Sequence, residues 1–286
     1  MASARIALQA RLAALERVIP EDLLQNRTLR DREHNESAKL IRNGLMVVGV
    51  AALEDFIRAR LDELTTFIPT LGRPFGDLPD AMRRAATSGV LKSASGHLQR
   101  VWKASGEDLI AKAQGVALDV ASTGGPGYTL SQYTFGHTSS NLSSYLVKDM
   151  GLSFHLSDPW GQIGEVARRV GLGSPSHAEA FDQSLRNRHA AAHDADASTQ
   201  PTDLTAFVQH ALGIAIGTDA VFSRAARLIA NGSLPSKDNI APTIAIRFIG
   251  EGADGFWREK PEAGRTYRRN TDLVTIRTAA LARADR

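Results

Sequence analysis

The sequence predicts an all-α fold: a helical body followed by a short β-rich tail. Three observations carry that expectation. Apolar residues recur at helical spacing from Ser3 almost to Ala230. Pro, Gly, Ser and Asn clusters cut this pattern into segments of helix length. After Asn231-Gly232 the pattern changes to closely spaced β-branched and aromatic residues. With 286 residues, 43% of them hydrophobic, the chain is long for one compact domain and short for two large ones. No internal repeat or low-complexity segment is present.

A first amphipathic helix is expected from Ser3 to Ile19, because Leu8, Leu12, Leu15 and Ile19 fall on one face before Pro20 interrupts. A charged stretch, Glu21 to Asn35, follows. Asn35-Glu36-Ser37 then supplies the cap of a long helix ending near Phe67. Its middle, Leu45 to Leu53, is apolar all round, which predicts burial on several sides. Pro69 and Pro74 close that element. Helices are expected from Pro79 to Lys103 and from Gly106 to Ala121, with a loop at Gly124 to Gly127. That loop lacks the lysine and flanking strand of a phosphate-binding P-loop. Ser139 to Met150 predicts a short helix stopped by Gly151, and Asp158 to Val170 another, capped by Ser157 or Asp158. Ser174-Pro175-Ser176 opens the next helix, and Pro201-Thr202-Asp203 starts a long apolar one reaching Ala230. In the tail, Ile240 to Ile249 predicts a strand, Gly250 to Gly255 a turn, and Arg265 to Ile276 one or two further strands.

Composition narrows the function classes. The chain has no cysteine, which removes disulfides, thiolate catalysis and cysteine-ligated zinc and fits a reducing, cytoplasmic setting. No run of eighteen apolar residues occurs, so no membrane span is expected. Glu16, Glu21 and Asp22 argue against a transit peptide at the arginine-bearing N-terminus. The net charge is only +3, and residues 247–286, with nine Lys/Arg against six Asp/Glu, account for all of it. Arginine far outnumbers lysine, which favours planar, bidentate phosphate contacts over diffuse attraction, although a solvated basic tail has the same composition.

The densest chemistry lies between Ser184 and Asp194, where Arg186, Arg188, His189 and His193 stand among alanines. Histidine transfers protons near neutral pH, and a guanidinium holds a phosphate through its forked donors. Three readings stay open on spacing alone. The histidines cap a helix end. Alternatively, His189 and His193, four apart, face one metal ion, with Asp194 or Asp196 as a further oxygen donor. In the third reading, an arginine and a histidine cleave RNA without metal, the histidine deprotonating the 2′-hydroxyl and the arginine neutralising the pentavalent phosphate. On a regular helix Arg188 and His193 lie about 140° apart, whereas Arg186, His189 and His193 share a face. Convergence of Arg188 with His193 therefore needs a loosened last turn, a long reach or a second subunit.

Arg188-His189-Ala190-Ala191-Ala192-His193 resembles the HEPN ribonuclease motif, an arginine, a polar residue, about three variable residues and a histidine. Its surroundings, Leu185 to Asp194, resemble the corresponding segment of the RiboL-PSP type of HEPN domain. Leu40-Ile41-Arg42-Asn43-Gly44-Leu45 through Leu53-Glu54-Asp55-Phe56-Ile57 is similar to that group's first core helix. Asn141 to Leu152 and Thr202 to Phe222 are similar to the helices before and after the motif. His189 stands where asparagine is commoner, Asp194 where glycine is, and Ala191 where a larger apolar residue is. The resemblance spans about residues 37–231. It divides the chain into an N-terminal helical extension (1–35), a HEPN-like helical domain (36–231) and a basic β-rich extension (232–286).

The resemblance implies a homodimer whose two motifs share one cleft, and an endoribonuclease acting on RNA in a toxin–antitoxin, phage-defence or RNA-processing setting. It also implies a cognate antitoxin or regulator as partner; no membrane, cofactor or metal is expected. Arg188 and His193 become the catalytic pair, His189 a supporting group, and Asn187 and Arg186 RNA contacts or structural residues. Pairing of Glu54 or Asp55 with the motif arginines is a further implication. A non-catalytic HEPN module that binds RNA or a protein is the alternative, and a hydrolase using a metal on His189 and His193 is a weaker one.

Overall fold

The computed structural model describes residues 3–102, 108–135, 142–235 and 239–284. Most of the described chain is helical, with one small antiparallel sheet near the C-terminus. Helix α1 (Ser3–Val18) buries Leu8, Leu12 and Leu15, the stripe its spacing predicts. Helix α2 (Arg32–Phe67) runs 36 residues. It starts earlier than the expected cap, with Asp31 in the capping position. Asn35 instead turns back to close the preceding loop: its Oδ1 accepts the Arg27 N–H at 2.7 Å, and its Nδ2 donates to the Thr28 carbonyl at 3.1 Å. The apolar middle of α2 is less enclosed than expected. Met46, Gly49, Val50 and Leu53 are buried, but Val48 is 67% exposed, so one stripe of α2 faces solvent.

Helices α3 (Asp80–Arg84) and α4 (Val90–Trp102) are joined by one wider turn at Ala85–Gly89. Helix α5 (Leu109–Ser122) is capped by Asp108, whose carboxylate accepts the N–H groups of Ile110 and Ala111. The expected boundaries at Lys103 and Gly106 lie outside the described residues. Val90, Ala94, Val116 and Tyr133 form a small core of their own here.

Helix α6 (Ser144–Ser153) does not stop at Gly151. That glycine is buried against Pro159, where a side chain would collide, and the chain turns at His155, a non-glycine residue with φ of 63°. The expected start at Ser139 lies outside the described residues. Asp158 caps α7 (Pro159–Arg169) through the Gly161 N–H at 3.0 Å, and Ser176 caps α8 (His177–His193) through the Glu179 N–H at 3.1 Å. Helix α9 (Pro201–Ala230) begins with the Gln200 N–H donating to Asp203 at 2.8 Å, and Gly232, at φ 75°, follows its end.

One continuous apolar core draws on α1, α2, α7, α8 and α9. Helix α9 is its axis. Gly217 lets α7 approach closely, since a Cβ there would sit 2.5 Å from the Ile163 carbonyl oxygen. By length and composition α9 is apolar enough to cross a membrane, and 61% of its most apolar window is buried inside the protein, as in a core helix.

The tail departs most from expectation. Residues 241–243 form a 3₁₀ turn in place of the first part of the expected strand, and Ile240, Ala241 and Ile244 join the main core. Arg169 locks this segment by donating to the carbonyls of Ala241 (2.8 Å) and Ile244 (2.9 Å) and to Glu262. Strands β1 (Arg247–Glu251), β2 (Trp257–Pro261) and β3 (Arg268–Asn270) form the sheet in that order, with Ile249 opposite Glu259 and Arg258 opposite Arg269. The central strand β2 was not expected. Residues 273–276, expected as strand, open helix α10 (Leu273–Ala284). The cause is Asp272, whose carboxylate accepts the Val274 and Thr275 N–H groups and nucleates a helix that the local β-branched residues disfavour.

Candidate active site

Helix α8 carries the arginine–histidine segment and keeps regular geometry to its end. The Asp194 N–H donates to the Ala190 carbonyl at 2.8 Å, so the loosened last turn that would swing His193 toward Arg188 is not formed. The two residues keep the angular separation of a straight helix. Arg188 turns toward α2, where its Nη1 donates to Glu54 Oε2 at 2.9 Å. Glu54 is buried, and its Oε1 accepts the Leu142 N–H at 3.2 Å, with the Arg58 guanidinium 3.9 Å away. This carboxylate–arginine tie is the contact that the resemblance implied. It binds the arginine of the motif to the core helix in a largely desolvated setting, where charge-assisted bonds are strong.

His189 and His193 lie on the open side of α8. Both are exposed, and their rings sit 4.8 Å apart between centroids, tilted by 52°. His193 occupies the last turn of the helix. Arg186 is engaged along the helix surface by Glu179 and Gln183, and Asn187 Oδ1 accepts from Gln183 Nε2 at 2.7 Å. The structure thus brings His189 and His193 together, holds Arg188 apart on Glu54, and spends Arg186 and Asn187 on local contacts. For the metal reading, the histidine pair needs a third donor. Among the described residues no group of three or more His, Asp or Glu is placed to hold an ion.

Two residues that position this site were quoted in the sequence without a role. Arg42 and Asn43, buried in α2, grip the loop that leaves the motif helix. Arg42 Nε donates to the Thr199 carbonyl at 2.6 Å, and its Nη1 to the Leu24 carbonyl at 2.7 Å. Asn43 Nδ2 donates to the Ala197 carbonyl at 2.8 Å, and its Oδ1 accepts the Thr199 N–H at 3.0 Å. Burial pushes the Arg42 pKa below its ordinary value, and the carbonyls around it supply the acceptors a buried cation needs. A charged–amide pair beside Leu40 and Ile41 marks the position in the sequence but not what it grips.

The opposite end of α8 is fixed by His177, which is buried against Gly164 of α7 and Gly213 of α9 and contacts the Leu172 carbonyl through Nε2 at 3.1 Å. Burial pushes its pKa below 6.5, which favours the neutral ring. Compared with family models, curated proteins and solved structures, the chain matches none.

Proposed function

We propose that this protein is a metal-independent endoribonuclease of HEPN type that works as a homodimer in the cytoplasm, in a toxin–antitoxin or phage-defence setting. The observation that carries the reading is the tie between Glu54 and Arg188, which fixes the arginine of the motif while His189 and His193 stay open to solvent on the same helix end. Because α8 is regular, one chain does not bring Arg188 and His193 onto one phosphate. A second copy related by a twofold axis supplies the missing convergence.

In the composite cleft His193 takes the proton of a 2′-hydroxyl. The 2′-oxygen attacks the adjacent phosphorus, Arg188 neutralises charge on the non-bridging oxygens, and the 5′-oxygen leaves with a proton from the other copy of the motif. His189 orients the pair or touches phosphate. The products are a 2′,3′-cyclic phosphate and a 5′-hydroxyl, and DNA is inert. The test is cleavage of single-stranded RNA by purified protein in EDTA, by the parent and by His193→Ala and Arg188→Ala. Both substitutions abolish cleavage while the fold persists; cleavage that survives them removes the assignment.

The same tie favours a second reading, a non-catalytic module that binds RNA or a protein partner, in which Arg188 is a structural strut. Stable RNA binding without turnover across varied substrates supports that alternative.

A further inference from the structure

A second concentration of arginine lies far from the motif. Arg5 of α1, Arg224 and Arg227 of α9 and Arg247 of β1 line a cleft of about 600 Å³ between the helical body and the tail. Arg224 stands roughly 35 Å along α9 from Pro201, the end where the motif loop enters, at 1.5 Å per residue. Two carboxylates, Asp219 and Glu259, share the lining. Both are already engaged. Asp219 takes Arg5 on Oδ2 and Arg60 on Oδ1, the latter at 2.9 Å. Glu259 takes Arg247 at 3.3 Å, and the Arg247 guanidinium lies 3.9 Å from the centre of the Tyr267 ring, so its orientation is set from two sides.

Arg224 and Arg227 differ from these. Arg224 donates through Nε to Thr243 Oγ1 at 3.2 Å, Arg227 is exposed, and among the described residues neither has a carboxylate partner. Three residues apart on one helix, they are neighbours on its surface and line the same cleft. Four arginines against two carboxylates leave the cleft with an excess of two positive charges. A phosphate monoester near pH 7 carries about −1.5 to −2. The remaining wall is mixed: the hydroxyls of Ser223 and Thr243 stand beside the apolar Ile244, Ala245 and Ile249. The volume falls within the roughly 300–1,000 Å³ typical of small-molecule sites.

We infer that this cleft binds the phosphate monoester of a partly apolar molecule of nucleotide size, with Arg224 and Arg227 donating to the phosphate. The group belongs either to a free nucleoside monophosphate or to the 5′ end of an RNA strand. The inference does not rest on the ribonuclease reading, because its readout is binding.

Isothermal titration of the 286-residue chain with adenosine 5′-monophosphate, adenosine, and short RNAs carrying a 5′-phosphate or a 5′-hydroxyl tests it. Adenosine monophosphate binds and adenosine does not. Arg227→Gln, at an exposed position, weakens binding at least tenfold, and adding Arg224→Gln weakens it further, with circular dichroism confirming the fold of each variant. A 5′-phosphorylated RNA that binds as tightly as the mononucleotide identifies an RNA end as the source, and its exclusion identifies the free nucleotide. Equal affinity for adenosine and its monophosphate, no binding at all, or binding unchanged in both variants overturns the inference.

Discussion

Removing the Glu54 carboxylate is the most direct perturbation of the motif's support. In Glu54→Ala two hydrogen bonds to the carboxylate are lost. The Leu142 N–H, next to a buried side chain, is left without a protein acceptor, at a cost of about 1–3 kcal/mol. Arg188 keeps a quarter of its side chain in solvent, so loss of its charge-assisted bond falls at the low end, about 1–1.5 kcal/mol. The sum, about 3 kcal/mol, lowers the melting temperature by about 5–10 °C in a chain of this size. Glu54→Gln keeps an acceptor for Leu142 and isolates the ionic part, costing about 1 kcal/mol. Urea unfolding followed by circular dichroism measures both. A double-mutant cycle of Glu54→Gln with Arg188→Met then gives a coupling of about 1–2 kcal/mol. If the two substitutions add within about 0.3–0.5 kcal/mol, the tie holds nothing and Glu54 does not fix Arg188.

Asn43→Ala releases the 197–199 loop from two hydrogen bonds and destabilises by about 2 kcal/mol, whereas Asn43→Ser retains part of that bonding; equal stability of Asn43→Ala and the parent in urea melts would contradict the clamp. Gly217→Ala forces α7 away from α9 and costs about 1–3 kcal/mol, visible as a lowered denaturation midpoint; no loss would mean the helices have slack at this crossing. His177 has a folded pKa below its ordinary 6.5 because it is buried, so the unfolded chain binds the proton first. The stability it contributes is complete above pH 6.5 and declines as pH falls from there toward the folded value. Urea midpoints from pH 7.5 to 5.5 therefore fall more steeply in the parent than in His177→Leu, and parallel slopes would show that this ring does not set the acid response.

The helical body was legible because its signals are local. Caps such as Asp158 and Ser176, breakers such as Pro20, and the stripe of α1 act within a turn or two. Failures occurred where a distant contact decided the outcome. Gly151 looked like a stop but is a contact point for Pro159, and Asn35 looked like a cap but bonds eight residues back. In the tail, Trp257 to Pro261 is too charged to read as a central strand, and its place comes from pairing on both sides. Leu273 to Ile276 is a local exception: its side chains are strand-like, yet the adjacent Asp272 carboxylate caps it as a helix. At the site, spacing foresaw the separation of Arg188 from His193 and the shared face of the histidines. The partner of Arg188 was legible only through resemblance, since Glu54 is 134 positions away. The roles of Arg42 and Asn43 were not legible, because what they grip is backbone, which carries no residue-specific signal.

Helix α2 also acts as a ruler. Arg42 and Asn43 set the loop after the motif, Glu54 sets Arg188, and further along Arg60 and Glu63 hold Asp219 and the start of α1. Arg42 and Arg60 recur at a whole number of helical turns, so they lie in one row about 27 Å apart. Inserting one residue between positions 43 and 54 rotates everything beyond it by about 100°, and no side-chain adjustment restores both ends. Length changes in this helix are therefore tolerated, if at all, in steps close to whole turns. The distance and phase between the two arginine-bearing ends of the molecule are written into a residue count.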